Sequence, residues 1–167
     1  MKVLIGYDDS ECAKAALADL KNAGLPAHTE ALVLTVTENW TMIFERAEKG
    51  APTEEEFEYP DSETIERIRE KNHAAFAETE KMVKGVADRL QGDFPSWKVQ
   101  FEAMPGFAHW GILEKAGEWK PDLIVVGSHG HNLIGRLVLG SSSLKILTEA
   151  RCSVRVARCS PARTEDD

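Results

Sequence analysis

Short apolar runs alternate with amphipathic stretches along this chain, and that alternation predicts its architecture. Residues 2–7 (KVLIGY) form an unbroken apolar-rich run, the pattern of a strand buried on both faces. Asp8, Asp9 and Ser10 follow, with Ser10 placed to cap a helix on which Ala13, Ala16, Leu17 and Leu20 recur until Gly24. Residues 31–36 (ALVLTV) are a second buried strand. From Asp61 to about Leu90 a helical period places Ile65, Ile68, Ala75, Phe76, Met82, Val83, Val86 and Leu90 on one side. At ~1.5 Å per residue that helix is roughly 45 Å long, and Gly85 is where it would bend. Residues 97–103 are a third strand, 107–119 a third helix, and 122–126 (DLIVV) the most apolar strand of all. Residues 142–150 make a last short helix. In residues 153–158 (SVRVAR), Val154 and Val156 alternate with Arg155 and Ala157, as in an edge strand with one face on the core.

Strand and helix thus alternate five times, which predicts an α/β fold with a parallel sheet and helices on both faces. In such sheets ligands bind beyond the carboxyl ends of the strands, where the winding direction reverses. Two loops of unusual composition leave strand ends: Asp8-Asp9-Ser10 after the first strand and a glycine loop after the fourth. If those strands are neighbours, both loops face one crevice. Residues 37–60 break the pattern with an acidic run at 54–56, read as a solvated loop within an irregular insert, and the tail 161–167 is expected to fray. Residues 1–160 are read as one domain.

Composition narrows the function. The hydrophobic fraction is 43% and the charged fraction 29%, an ordinary balance for a soluble domain. A formal net charge of −8 argues against a general nucleic-acid or membrane-surface binder. It also means that a polyanionic ligand must be held by local dipoles, a few cations or a metal. No run approaches the roughly 20 apolar residues of a membrane span, and the opening residues lack the apolar core of a secretory signal. Cys12, Cys152 and Cys159 lack paired metal-ligand spacing and are read as reduced thiols, so the chain is expected in the cytoplasm.

The glycine loop carries the chemistry. Gly127-Ser128-His129-Gly130 is followed by nine residues and then by Gly140-Ser141-Ser142-Ser143, which opens a helix. Glycine lets a ligand approach the backbone, and a helix start offers free amides at its positive dipole end. Serine hydroxyls add donors, so the loop suits phosphate. The same residues serve equally as a turn and a helix cap, and spacing alone does not choose. Neither G-x-G-x-x-G after the first strand nor G-K-[ST] is present, which excludes a classical dehydrogenase and a P-loop ATPase.

At these residues the chain resembles the universal stress proteins, whose nucleotide-binding members carry G-x-x-G, nine residues, then G-[ST]. Gly127, Gly130, Gly140 and Ser141 match each element. The likeness extends through VLIGYDDS, ALVLTV, Gly106 before Ile112, PDLIVVGSHG and SVRVAR, that is, nearly the whole chain outside the insert. The resemblance implies a Rossmann-like five-stranded parallel sheet ordered 3-2-1-4-5, with the first and fourth strands adjacent. It implies that Asp8, with the backbone around Tyr7 and Asp9, contacts adenine and ribose, and that Val36 lines the adenine pocket. Gly127, His129 and Gly130 would lie against ribose and phosphate. Gly140, Ser141 and Ser142 would hold the phosphates of ATP, ADP or AMP, with Mg²⁺ or Mn²⁺. A homodimer through residues 153–158 also follows from the resemblance, joined by the apolar edge of that strand. The family usually has glycine where Asp9 stands and often proline where Ser153 stands; Asp9 adds negative charge that either weakens binding or helps to hold a metal.

Other candidates carry less. His129 and His131 without a nearby carboxylate or cysteine are a weak metal signal. Arg136 is placed to reach a phosphate or to stand in solvent. Cys12 lies in a first helical turn, where the dipole lowers a thiol pKa, but the sequence shows no resolving partner. Trp40, Trp97, Trp110 and Trp119 are read as packing or interface residues. Three functions follow: a nucleotide-binding stress or signalling protein, a slow ATPase or nucleotidyl transferase on the same scaffold, and a ligand-free dimeric module. The intact glycine motif favours the first. Asp8 and Asp9 alone do not make a positioned base or nucleophile, so fast turnover is not expected.

Overall fold

A strand whose two faces are both apolar has no side to turn to water, and such a run is suited to the centre of the sheet. In the computed structural model, which describes residues 1–37, 62–130 and 139–159, β1 (Lys2–Gly6) is that central strand. It pairs in parallel with β2 (Glu30–Thr37) on one side and with β4 (Leu123–Gly127) on the other. β3 (Lys98–Pro105) flanks β2, and β5 (Ser153–Ala157) flanks β4, which gives the order β3-β2-β1-β4-β5. The observed order is the expected 3-2-1-4-5.

Helices cover both faces, as the double-sided burial requires. Val3 and Ile5 point into a core shared with α1 (Glu11–Asp19) and α2 (Ser62–Asp93), alongside Ala13, Ala16, Val83 and Leu90. Leu4 points the other way, into a core with Ile112 of α3 (Ala108–Trp119) and Ile146 of α4 (Ser141–Glu149). Val3, Leu4 and Ile5 are wholly buried, so three successive residues divide the protein into its two layers.

Several element ends differ from expectation for local reasons. Ser10 caps α1 through a 3.2 Å hydrogen bond from the Ala13 amide, but α1 stops at Asp19 and tightens into a 3₁₀ turn, Leu20–Asn22. α2 continues to Asp93, and among its described side chains Val83, Ala87 and Leu90 are buried, whereas Ala75 is exposed. The side chains of Ile65 and Ile68 lie outside the described residues, as do Trp40, most of the 37–60 insert and the 161–167 tail. β5 is not one-faced. Ala157 joins the α1 core while Val154 and Val156 pack on the α3–α4 core, and Arg155 Nε donates to Asp19 Oδ2 at 2.6 Å.

The reduced-thiol expectation is corrected for two of the three cysteines. Cys12 and Cys159 form a disulfide with Cα atoms 4.6 Å apart, and only Cys152 is a free thiol. Sequence spacing could not show the pair because the start of α1 and the chain just after β5 meet only through the sheet.

Candidate functional site

The register Val3↔Leu123, Leu4↔Ile124, Ile5↔Val125 holds β1 against β4, so the loops leaving both strands rise side by side. A Cβ placed on Gly130 would lie 2.9 Å from Asp8 Oδ2, which measures how closely the loops approach. Ser10 joins them: its amide and hydroxyl donate to Asp8 Oδ1 at 3.1 and 2.6 Å, and the hydroxyl is 3.3 Å from the His129 carbonyl. The two loops thus lie side by side, as neighbouring strands require.

On the β1 side, the buried Tyr7 donates its amide to the Leu34 carbonyl at 2.9 Å and its hydroxyl to Asp9 Oδ1 at 2.9 Å. Burial, reinforced by the hydrogen bond to Asp9, pushes the Tyr7 phenol up to about 12. Asp9 has φ 62°, in the left-handed region that glycine occupies at least cost and aspartate tolerates better than most residues. Its carboxylate is 3.6 Å from Lys14 Nζ. Asp8 and Asp9 are both exposed. Val36 is half-buried at the end of β2 and packs against Gly111 of α3, where a Cβ would come within 2.7 Å of Val36 Cγ2.

On the β4 side, Gly127 is required by packing. A Cβ there would sit 2.7 Å from the Cys12 carbonyl carbon and 2.8 Å from the Ala13 nitrogen, so only glycine lets β4 end against the first turn of α1. Ser128, absent from the expected site, is its hub. The side chain is buried, its amide donates to the Ala157 carbonyl at 2.7 Å, and its carbonyl accepts from the Gly140 amide at 2.8 Å. Its hydroxyl is 3.0 Å from His129 Nδ1 and donates to Cys12 Sγ at 3.6 Å.

Gly140 is the N-cap of α4, which begins at Ser141 rather than Ser142. Its φ of −60° is open to any residue, so glycine is not required there for its backbone angles. Space is what glycine supplies, since a Cβ would be 3.3 Å from the Ser128 carbonyl oxygen and 3.6 Å from His129 Cα. With the Gly140 amide committed to Ser128, helix geometry leaves the amides of Ser141, Ser142 and Ser143 as the open first turn. Ser141 is exposed and Ser142 half-buried, whereas the Ser143 hydroxyl is turned down onto the Gly127 carbonyl at 2.8 Å. Ser143 therefore braces the site from below, a role that its sequence position did not reveal.

His131 and Arg136 lie outside the described residues. Among the described residues, no group of three His, Cys, Asp or Glu side chains is placed to hold a metal ion, and no helix is long and apolar enough to cross a membrane. Tyr7, Asp8, Asp9, His129 and Gly130 are thus brought together at the β1–β4 junction, and the Gly140–Ser128 hydrogen bond brings Ser141 and Ser142 to its rim; Val36 stands at the end of β2.

Comparison with known proteins shows the family and the fold. Residues 1–158 match the sequence model of the universal stress protein family. Universal stress protein A homolog 2 of Coxiella burnetii is 49% identical over 53 residues, which covers 32% of this chain and 36% of that protein. The chain thus spans about a third of the length of the curated relatives that it matches. Universal stress protein UspA from Lactobacillus plantarum has a similar structure, with a TM-score of 0.73 at 21% identity, covering 95% of this chain and 97% of that one. A universal stress protein family protein from Arabidopsis thaliana, solved with AMP bound, has a TM-score of 0.60 at 16% identity, covering 100% of this chain and 97% of that one. At these identities the likeness speaks for the fold, while the family match covers the strands, the glycine loop and the last helix alike. The chain belongs to the universal stress protein family.

Proposed function

We propose that this protein binds an adenine nucleotide, ATP with ADP or AMP as alternatives, and acts as a stress-response or signalling protein in the cytoplasm. The observation that carries the reading is the open first turn of α4 fastened by Gly140 and Ser128 beside the Asp8 loop. Free helix-start amides beside a crevice at the strand ends suit a phosphate whose nucleoside lies across the sheet end. The AMP bound to the Arabidopsis family member supports the same ligand class.

In this reading Tyr7, Asp8 and Asp9 face adenine and ribose, Val36 borders the adenine, and Gly127, His129 and Gly130 border ribose and phosphate. The phosphates fall to the amides and hydroxyls of Ser141 and Ser142, with Gly140 keeping the approach open. Mg²⁺ or Mn²⁺ would be bound chiefly by phosphate oxygens, because the described residues supply no three-ligand cage. Its chemistry there is charge neutralisation. The amides and hydroxyls bind but do not abstract protons, so hydrolysis is slow or absent. A homodimer through β5 and Arg158 completes the proposal. Calorimetric titration of nucleotide-stripped protein with ATP, with and without Mg²⁺, tests the central point, and absence of heat in both titrations overturns it.

A further inference from the structure

We propose that Cys12 and Cys159 are a reversible redox site that restrains Ser128 and, through it, the start of α4. The two thiols differ from Cys152 in their surroundings. Cys152 stands among apolar residues, and burial, then the nearby Asp122 carboxylate, hold its thiol above the usual range, which disfavours the reactive thiolate. Cys12 sits in the first turn of α1, where the helix dipole favours a thiolate, and receives the Ser128 hydroxyl at 3.6 Å. Cys159 is less buried than Cys12 and lies just past Ala157, the residue whose carbonyl holds the Ser128 amide. One thiol is half-buried, the other lies buried at a helix start beside Ser128, and the bond between them is present.

Closure needs only a low-molecular-weight disulfide as oxidant. The less buried Cys159 thiolate attacks one sulfur of that disulfide, forming a mixed disulfide and expelling one small thiolate. The Cys12 thiolate then attacks the Cys159 sulfur, forming the Cys12–Cys159 bond and expelling the second. Two protein thiols are oxidised, one small disulfide is reduced, and the two thiol protons pass to the departing thiolates. Excess small thiol runs the same exchange backwards.

The consequence follows from what Ser128 touches. Cys12 lies against its hydroxyl, the chain leading to Cys159 holds its amide, and its carbonyl holds Gly140 at the start of α4. Closing the bond ties the first two supports together and so restrains the third. A Ser128–Gly140 contact that is already restrained has less conformational entropy to lose when a ligand binds at the start of α4. The effect on nucleotide affinity rests on the proposed function; the bond and its effect on Ser128 do not.

The experiment compares full-length protein in oxidised glutathione with the same protein in excess reduced glutathione. Peptide mapping should link Cys12 to Cys159 in the oxidised form only; no link, or a link through Cys152, overturns the site. Amide exchange at Ser128 should be roughly tenfold slower in the oxidised form, and equal rates overturn the coupling. The oxidised form should bind ATP about three- to tenfold tighter, and equal affinities overturn the control of binding. Cys159→Ser should behave as the reduced protein in both buffers, and Cys152→Ser should keep the full response; any other pattern assigns the effect to a different thiol. If neither form binds ATP, the nucleotide reading fails and the control of binding falls with it, while mapping and exchange still decide the redox site.

Discussion

The Gly140 amide donates to the Ser128 carbonyl at 2.8 Å, and through this one hydrogen bond the start of α4 is fixed to the end of β4. The same amide is then unavailable to a ligand, so in the proposed function Gly140 would contribute room and the residues after it the donors.

A side chain at Gly140 should therefore remove binding by filling the approach to Ser141 and Ser142. Gly140→Val adopts φ −60° without strain but places its Cβ 3.3 Å from the Ser128 oxygen, with two methyls beyond. Charge-assisted hydrogen bonds are worth about 1.5–3 kcal/mol each, so losing one or two weakens ATP binding roughly tenfold to a thousandfold or more. Ser141→Ala, which keeps its amide, should act more mildly. Calorimetry reads the affinities, circular dichroism checks that the fold is retained, and wild-type affinity in Gly140→Val refutes this placement of the phosphates.

Gly127→Ala should instead damage the fold. Its Cβ would meet backbone atoms of Cys12 and Ala13 at 2.7 and 2.8 Å, and backbone cannot swing aside as a side-chain tip can. Overpacking of this kind costs about 1–3 kcal/mol. Urea unfolding should show a lower midpoint with an unchanged slope; an unchanged midpoint means that α1 is free to shift.

The Tyr7 phenol, pushed up to about 12, gives stability a signature at high pH. The native state favours the neutral phenol relative to the unfolded chain, whose tyrosine titrates near 10. The contribution is full below pH 10 and is lost as pH rises from 10 towards 12. Ultraviolet titration should show this late ionisation, absent in Tyr7→Phe. Asp9→Gly should bring it down, though not fully, because burial is the larger cause. A Tyr7 ionisation unchanged by Asp9→Gly removes the hydrogen bond as a contributor.

Dimerisation through β5 is tested at Val156, which packs on the α3–α4 core in an edge strand. Wild type should sediment as a dimer at tens of micromolar, the order of magnitude for a modest interface, and Val156→Asp as a monomer. A monomeric wild type refutes the dimer, and a dimeric Val156→Asp refutes this interface.

Residues 2–7, 31–36 and 122–126 were legible as buried strands because an apolar run with no polar face has few places to go, and Ser10 was legible as a cap because its chemistry is local. The spacing of Gly127, Gly130, Gly140 and Ser141 was legible as a family pattern, and the family match spans those residues. The ends of α1 and α2 were less legible: α1 stops at Asp19 in a 3₁₀ turn, and α2 runs on to Asp93. The sequence could not reveal that Asp9 takes φ 62°, that Gly127 is glycine because α1 presses on it, or that Ser128 joins three segments. Least of all could it pair Cys12 with Cys159. Periodicity and capping are properties of neighbours along the chain and survive in the sequence; these contacts join residues far apart in the chain, and they exist only once the sheet sets β1 beside β4 and β4 beside β5.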